Sequence, residues 1–248
     1  MSILTKIKTT IANSKNFGGT RSTSKIQWIV IHYTANDGDR DESNGRYFAN
    51  NVVKASAHYF VDSDSVTQSV ADNRVAYAVG GKKYADCGKT GCGKYYGKVT
   101  NTNSISIELC DDVKNGTIYP SAKTIENALE LTEYLMKKYN IPKSNVIRHF
   151  DVNGKPCPKY WTNDVKWKNE FWNKINSGGS ENKTTVDTSY KVKINTDVLN
   201  VRKGAGTSYA VTAIVKRNEV YTIVNESNGW GKLKSGVGWI KLSYTKKL

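Results

Sequence analysis

The chain has 248 residues, 38% of them hydrophobic and 24% charged, enough for one domain of about 170 residues with a sizeable core and a smaller second one. That size excludes a mini-fold held together by disulfides or metal alone, and the four cysteines, Cys87, Cys92, Cys110 and Cys157, are too few and wrongly spaced for a disulfide framework or a four-cysteine structural zinc site. The net charge of +15 is uneven: residues 1–177 carry 25 Lys and Arg against 17 Asp and Glu, a net of +8, whereas residues 178–248 carry 12 against 5, a net of +7. The basic C-terminal stretch favours a polyanion, which nucleic acid, an anionic membrane surface or a wall polymer rich in phosphate or carboxylate would each supply, while a plainly solvated basic surface is the bland alternative. No basic helical face, zinc-finger spacing or RNP-type motif supports nucleic acid, so no nucleic-acid partner is expected.

In chain order, MSILTKIKTTIANSKNFGGT lacks the apolar run of a signal peptide, and nowhere do about 18 apolar residues stand together, so neither a secretory address nor a transmembrane segment is expected. Apolar runs at 26–33, 57–62, 104–110 and 145–149 read as buried strands, interleaved with helical patterns. The strongest helix is predicted over 121–140, with Ser121 as N-cap, Ile125, Ala128, Leu129, Leu135, Met136 and Tyr139 on one face, and Pro142 after its end. A second helix is predicted over 164–175, where Trp161, Trp167, Phe171 and Trp172 have a spacing that suits packing. Strands alternating with helices imply an α/β mixed sheet with flanking helices. NSGGSENKTTVDTS reads as a flexible linker, which divides the chain into 1–176, a linker at 177–189 and 190–248. The last segment has short strands with turn residues every 8 to 12 positions, as in a small all-β barrel.

The chemistry centres on the three histidines, His32, His58 and His149, and on Cys157, eight residues after His149. Catalytic zinc takes three protein ligands and keeps a fourth position for water, and His32, His149 and Cys157 supply such a set. Hydrolysis also needs a base and a group to stabilise an oxyanion, for which Glu108 and Lys155 are the candidates. With period two, Glu108 shares a face of SISIELC with Ser104 and Ser106, opposite Ile105, Ile107 and Leu109; that face is expected to be the wetter one. An ordinary half-exposed strand carboxylate is the competing reading of Glu108.

The segments WIVIHYTAN, SAHYFVDSDSVTQSV, SISIELC and HFDVNGKPCP, in that order and spacing, resemble the zinc-dependent N-acetylmuramoyl-L-alanine amidases of the amidase-2 group. That group includes phage endolysins and shares its fold with the peptidoglycan recognition proteins. The stretch from LNVR through the NGW turn to GVGWI resembles a bacterial SH3-type wall-binding domain. The resemblance implies one zinc ion on His32, His149 and Cys157. It makes Glu108 the general base that activates water and later protonates the leaving amine, and Lys155 the oxyanion partner. The scissile bond would join the lactyl group of N-acetylmuramic acid to L-alanine of the stem peptide. Peptidoglycan and anionic wall polymers are the implied partners, and the protein would act at the wall after release from a bacterial cytoplasm. Some relatives have tyrosine where Ala57 stands, so Glu108 is expected to carry the proton transfer alone.

Other residues keep alternatives open. His58 reads as a cleft residue beside the site, against a satisfied core histidine. Cys87 and Cys92 read as free loop thiols, against a metal clip or a disulfide. Cys110 reads as a small buried residue, and Asp151 as a support for the loop after His149, against a carboxylate bonded to a metal-bound histidine. A non-catalytic peptidoglycan-binding module and a zinc peptidase cutting elsewhere in the stem are the alternative functions.

Overall fold

A computed structural model describes residues 2–176, 189–227 and 229–248, and the chain divides into two compact units, Met1–Glu181 and Asn182–Leu248. Of the expected linker, residues 177–188 lie outside the described residues. The first unit contains, in order, strands β1 (Ile7–Thr9), β2 (Phe17–Thr20) and β3 (Trp28–Tyr33), helix α1 (Asp41–Asn50), and strands β4 (Tyr59–Val61), β5 (Val66–Gln68) and β6 (Arg74–Ala76). These are followed by α2 (Cys87–Thr90), β7 (Ser104–Leu109), α3 (Ala122–Tyr139), β8 (Val146–Arg148), α4 (His149–Asn153) and α5 (Asp164–Glu170).

Six strands form one mixed sheet in the order β1-β5-β4-β7-β3-β8, and β2 pairs with β6 separately. β3 runs parallel to both β7 and β8, and β4 runs parallel to β7, whereas β4 and β5 are antiparallel. The expected strands at 26–33, 57–62 and 104–110 are therefore the central ones. Their near-continuous apolar runs follow from burial on both faces.

On one face Ile29, Ile31, Ile105, Ile107, Tyr59 and Val61 pack with Leu131 and Leu135 of α3 and with Trp161, Trp167 and Phe171. Each such fully buried side chain contributes about 1.5–3 kcal/mol. α3 starts where Ser121 Oγ accepts the Thr124 N–H at 3.1 Å and ends at Asn140 in the left-handed region, φ 52°, as its sequence predicts. The other face packs Trp28, Val30 and Ile147 against Val79, Val99 and Val152, and turns polar toward its end.

The last predicted helix is shorter than 164–175. It stops at Glu170, because Phe171 leaves helical backbone (φ −134°, ψ −66°) to bury itself against Trp161 and Trp167. His149 ends no strand; it opens α4 directly after β8. α1, β1, β2, β5 and β6 escaped notice for a plain reason. The strands are three or four residues long, and α1 buries Asp41, Asn44 and Gly45 in place of an apolar stripe.

A buried carboxylate ties α3 to the sheet. Asp72 accepts hydrogen bonds from Tyr59 Oη at 2.7 Å, Tyr139 Oη at 2.5 Å and Lys138 Nζ at 3.0 Å. Burial opposes its ionisation, but these donors hold its pKa below the usual carboxylate range.

The second unit is all-β, with β9 (Tyr190–Ile194), β10 (Val198–Arg202), β11 (Val211–Lys216), β12 (Val220–Ser227), β13 (Trp230–Leu233), β14 (Trp239–Lys241) and β15 (Thr245–Lys247). They form one sheet in the order β11-β10-β14-β13-β12-β9-β15, antiparallel throughout. Val192, Ile194, Val201, Ile223, Leu233 and Ile240 fill its own core. Gly238, at φ +154°, lies so close to the Arg202 carbonyl that any side chain there would collide with it. The NGW turn includes residue 228, which lies outside the described residues.

A folded-state pKa held low adds stability above the ordinary carboxylate range, and that stability is lost as pH falls through the folded value. Asp72→Asn is expected to lower stability by about 1–3 kcal/mol at pH 7, with a smaller gap to wild type at pH 3. Urea midpoints at the two pH values check this, and an equal gap at both would contradict it.

Candidate metal centre

Parallel pairing sets the site. β3 and β7 are in register with His32 directly beside Glu108, about 4.8 Å apart at the backbone. β8 pairs Arg148 with Ile31, so the next residue, His149, falls beside His32 on the other side. The His32 and His149 rings stand 4.7 Å apart, centre to centre. The turn after α4 brings Cys157 up from below, its carbonyl accepting the Phe150 N–H at 2.9 Å. Cys157 Sγ is then 3.7 Å from His32 Nδ1, and Glu108 Oε1 is 3.9 Å from the same nitrogen. His32, His149 and Cys157 are each 2% exposed, and one donor atom from each lies within 4.8 Å of the others.

The segment is anchored by Arg148. Its guanidinium grips Asp151 through both oxygens at 2.9 and 2.7 Å and reaches the Trp161 carbonyl and Asp164 at 2.6 Å. Asp151 thus supports the loop through Arg148 and makes no bond to His149. Gly154 has to be glycine: its φ is +90°, and a side chain would collide with the sulfurs of both Cys87 and Cys92.

The donor set fits a zinc-like cation. Both ring nitrogens of His149, Nε2 of His32 and Oε2 of Glu108 are buried without a hydrogen-bond partner, a costly arrangement unless something else engages such atoms. Burial, with His149, Lys155 and His58 adding to it, drives the His32 pKa well down, and burial and Lys155 bring His149 to about 3, so both rings are neutral. Burial pushes the Cys157 thiol up, with Glu108 reinforcing it, and pushes the Glu108 carboxyl up to about 8 against the pull of Lys155. A divalent cation would supply the positive charge that both acids lack. Two ligands at ordinary Zn–N and Zn–S lengths on a tetrahedron are about 3.5 Å apart, close to the His32–Cys157 separation.

His58 stays outside this group, contrary to its reading as a cleft residue. Its Nδ1 accepts the Ser106 N–H at 3.1 Å, and its Nε2 lies 2.8 Å from the Arg21 guanidinium and 3.3 Å from the Arg74 carbonyl. Burial and Arg21 bring its pKa down to about 3. It is a satisfied core histidine. The expectation of a wetter Glu108 face is likewise corrected: Ser104 and Ser106 share that face but are 1% exposed beneath Arg21 and His58, and only Glu108, 19% exposed, reaches a cavity. Ala57 is buried beside Phe60 and Cys110, and Cys110 is the small buried residue expected.

Two cavities meet at exposed Lys155. One, of about 770 Å³, is bordered by Glu108 and Cys157 and by aromatic residues including Tyr33, Tyr47 and Tyr84. The other, of about 590 Å³, is bordered by His149 and by Lys54, Lys82 and Lys83, which sequence reasoning passed over. Only the lysine pair in GGKKY hinted at it.

Cys87 and Cys92 are disulfide-bonded, not free thiols, with Cα atoms 4.6 Å apart. Bond and loop dock on α4: Gly93 N–H donates to Phe150 O at 3.1 Å and Tyr95 N–H to Asp151 O at 3.0 Å. A loop this short is worth about 2 kcal/mol to the folded state in the chain-entropy account. Cys87→Ser/Cys92→Ser is expected to lower the denaturation midpoint accordingly, whereas an unchanged midpoint would remove the bond from the stability account.

Comparison with known proteins agrees with this geometry. Residues 22–160 match the amidase-2 family, described as N-acetylmuramoyl-L-alanine amidase, and residues 197–246 match a family described as bacterial SH3 domain. The N-acetylmuramoyl-L-alanine amidase CwlL of Bacillus licheniformis is 35% identical over 200 residues, which are 77% of this chain and 52% of that protein. The chain spans about half the length of the curated relatives it matches. Among solved structures, that of PlyL is 29% identical, covering 73% of this chain and all of its own, with a TM-score of 0.55. A mutant endolysin from Bacillus subtilis is 26% identical, covers 68% of this chain and 98% of its own, and has a TM-score of 0.53. Among the described residues no helix is long and apolar enough to cross a membrane.

Proposed function

The chain belongs to the amidase-2 family of N-acetylmuramoyl-L-alanine amidases, and from that premise we propose that it hydrolyses peptidoglycan at the amide between N-acetylmuramic acid and L-alanine, using one zinc ion held by His32, His149 and Cys157. The observation that carries the reading is the convergence of two neutral imidazoles with unpartnered ring nitrogens and a thiol beside a carboxylate at the edge of a cavity. Zinc, when bound, is a Lewis acid that polarises a carbonyl and lowers the pKa of water toward neutrality.

The chain's own residues handle the protons and charge. Glu108 stands beside His32 and reaches the cavity, where its carboxylate takes a proton from the attacking water. The burial that raises its pKa suits it to hold that proton until the amide nitrogen leaves and needs it. Lys155, exposed where the two cavities meet, brings an ammonium toward the oxygen that gains negative charge. Arg148 and Asp151 hold the turn between His149 and Cys157 in place.

The C-terminal unit, with its matched SH3-type segment and the +7 charge of residues 178–248, serves in this reading to hold the catalytic unit on an anionic wall polymer and raise its local concentration there. Residues 1–176 act as the catalytic part, 177–189 as linker and 190–248 as the wall-binding part. The place of action is the bacterial cell wall.

Digestion of purified peptidoglycan is expected to release new L-alanine amino termini and leave muramic acid intact; new termini at other stem residues would make the protein a peptidase instead. Chelation is expected to abolish lysis and zinc to restore it, and activity in metal-free protein would contradict the assignment. Glu108→Gln is expected to keep zinc while kcat falls by about 10²–10⁴; wild-type turnover in that variant would remove Glu108 from the reaction. Deleting residues 178–248 is expected to weaken wall binding while sparing hydrolysis of small muropeptides, and equal loss of both would contradict the division of roles.

A further inference from the structure

The reaction as described uses His149 and Lys155 at one edge of the lysine-bordered cavity and gives no role to Lys54, Lys82 or Lys83. Lys54, Lys82, Lys83 and Lys155 border it and no carboxylate does, while the aromatic cavity on the other side of Lys155 is bordered by Asp39 and Glu108. The lysines that form ion pairs among the described residues are Lys8, Lys94, Lys123 and Lys138, so Lys54, Lys82 and Lys83 form none, while Lys155 interacts at longer range with Glu108.

Their positions are built, not incidental. Asn101 Oδ1 accepts the N–H groups of Ala78 and Val79 at 3.0 and 2.8 Å, fixing the start of the segment that carries Lys82 and Lys83. Asn153 fixes its far end: Nδ2 donates to Gly80 O at 3.1 Å, and its carbonyl accepts the Tyr84 N–H at 2.8 Å. Asn153 and His149 lie on the same short helix, α4, so the backbone that carries the two lysines is tied to the element that carries His149. Ammonium groups gathered around one cavity without a counter-charge repel one another, and an anion entering it relieves that repulsion.

We propose that this cavity is an anion subsite of the amidase, and that Lys82 and Lys83 select substrates carrying an oxyanion near the scissile amide. The inference rests on the amidase reading above. Two parts of a wall substrate present such a group: a carboxylate of the stem peptide, and a phosphodiester of a polymer attached to the glycan.

The test compares the full-length protein with its Lys82→Ala/Lys83→Ala and Lys82→Arg/Lys83→Arg variants. One pair of substrates is a soluble muramyl peptide with free stem carboxylates and its carboxamide form. The other is a set of glycan fragments with and without the phosphodiester polymer. Removing two exposed charges is expected to raise KM between about two- and thirtyfold on the anionic member of one pair, with kcat unchanged and the neutral member unaffected. The arginine variant is expected to retain wild-type KM, and added salt to erase the wild-type preference. The pair that responds identifies the source of the anion. An equal change on charged and neutral members, or no change on either, would overturn the subsite. Failure of the wild-type protein to cut even the neutral muramyl peptide would instead strike at the amidase reading itself.

Discussion

The parallel register of β3 against β7 and β8 is the constraint on which the site depends. It puts His32 between Glu108 and His149 at the carboxyl ends of three adjacent strands, where ligands of open α/β sheets bind. Side chains alternate with a strict period of two, so a slip of one residue in β3 would turn His32 toward the α3 core and present Ile31 or Tyr33 to Glu108. The isoleucines of β3 and β7 forbid that slip because they are already buried on the α3 side. Packing on one face of the sheet therefore fixes the chemistry on the other.

The same face shows where stability gives way to function. Deeper in the sheet, His58, Arg21, Ser104 and Ser106 sit in a polar layer in which His58 and Arg21 have found partners. At its end, the imidazole nitrogens of His149 and Nε2 of His32 have none. Two histidines equally buried, one bonded to a backbone amide and one bare, differ in what they are available to hold. Arg148 resolves the mechanical side of the problem, since its bonds to Asp151, Trp161 and Asp164 make the turn from His149 to Cys157 part of the fold.

Much of this was legible in the sequence, because the informative residues lie in long, strongly patterned elements. IQWIVIHYT, SISIELC and the α3 segment announce their type through continuous or periodic apolar runs, and the period-two pattern places Glu108 opposite Ile107. His149 and Cys157, eight residues apart, meet because α4 and the turn after it fold back on His149. What stayed hidden depends on contacts between distant segments. That Ser104 and Ser106 are covered follows from Arg21, more than 80 residues away, whose guanidinium reaches the Ser104 carbonyl. The fate of His58 was set by the Ser106 amide, and the pairing of Cys87 with Cys92 by how their loop docks on α4. Phe171 broke its helix for a place in the Trp161 cluster, which local propensity does not register.

The central claim is that His32, His149 and Cys157 form one site with two nitrogen donors and one sulfur donor. Cobalt(II) substitution tests it most directly, because a thiolate bound to cobalt gives a charge-transfer band in the near ultraviolet that imidazole and carboxylate ligands do not. The account requires that band at one cobalt per chain in the wild-type protein and its loss in Cys157→Ser. Stoichiometric cobalt binding without a thiolate band, or a band that survives the Cys157 substitution, would contradict it.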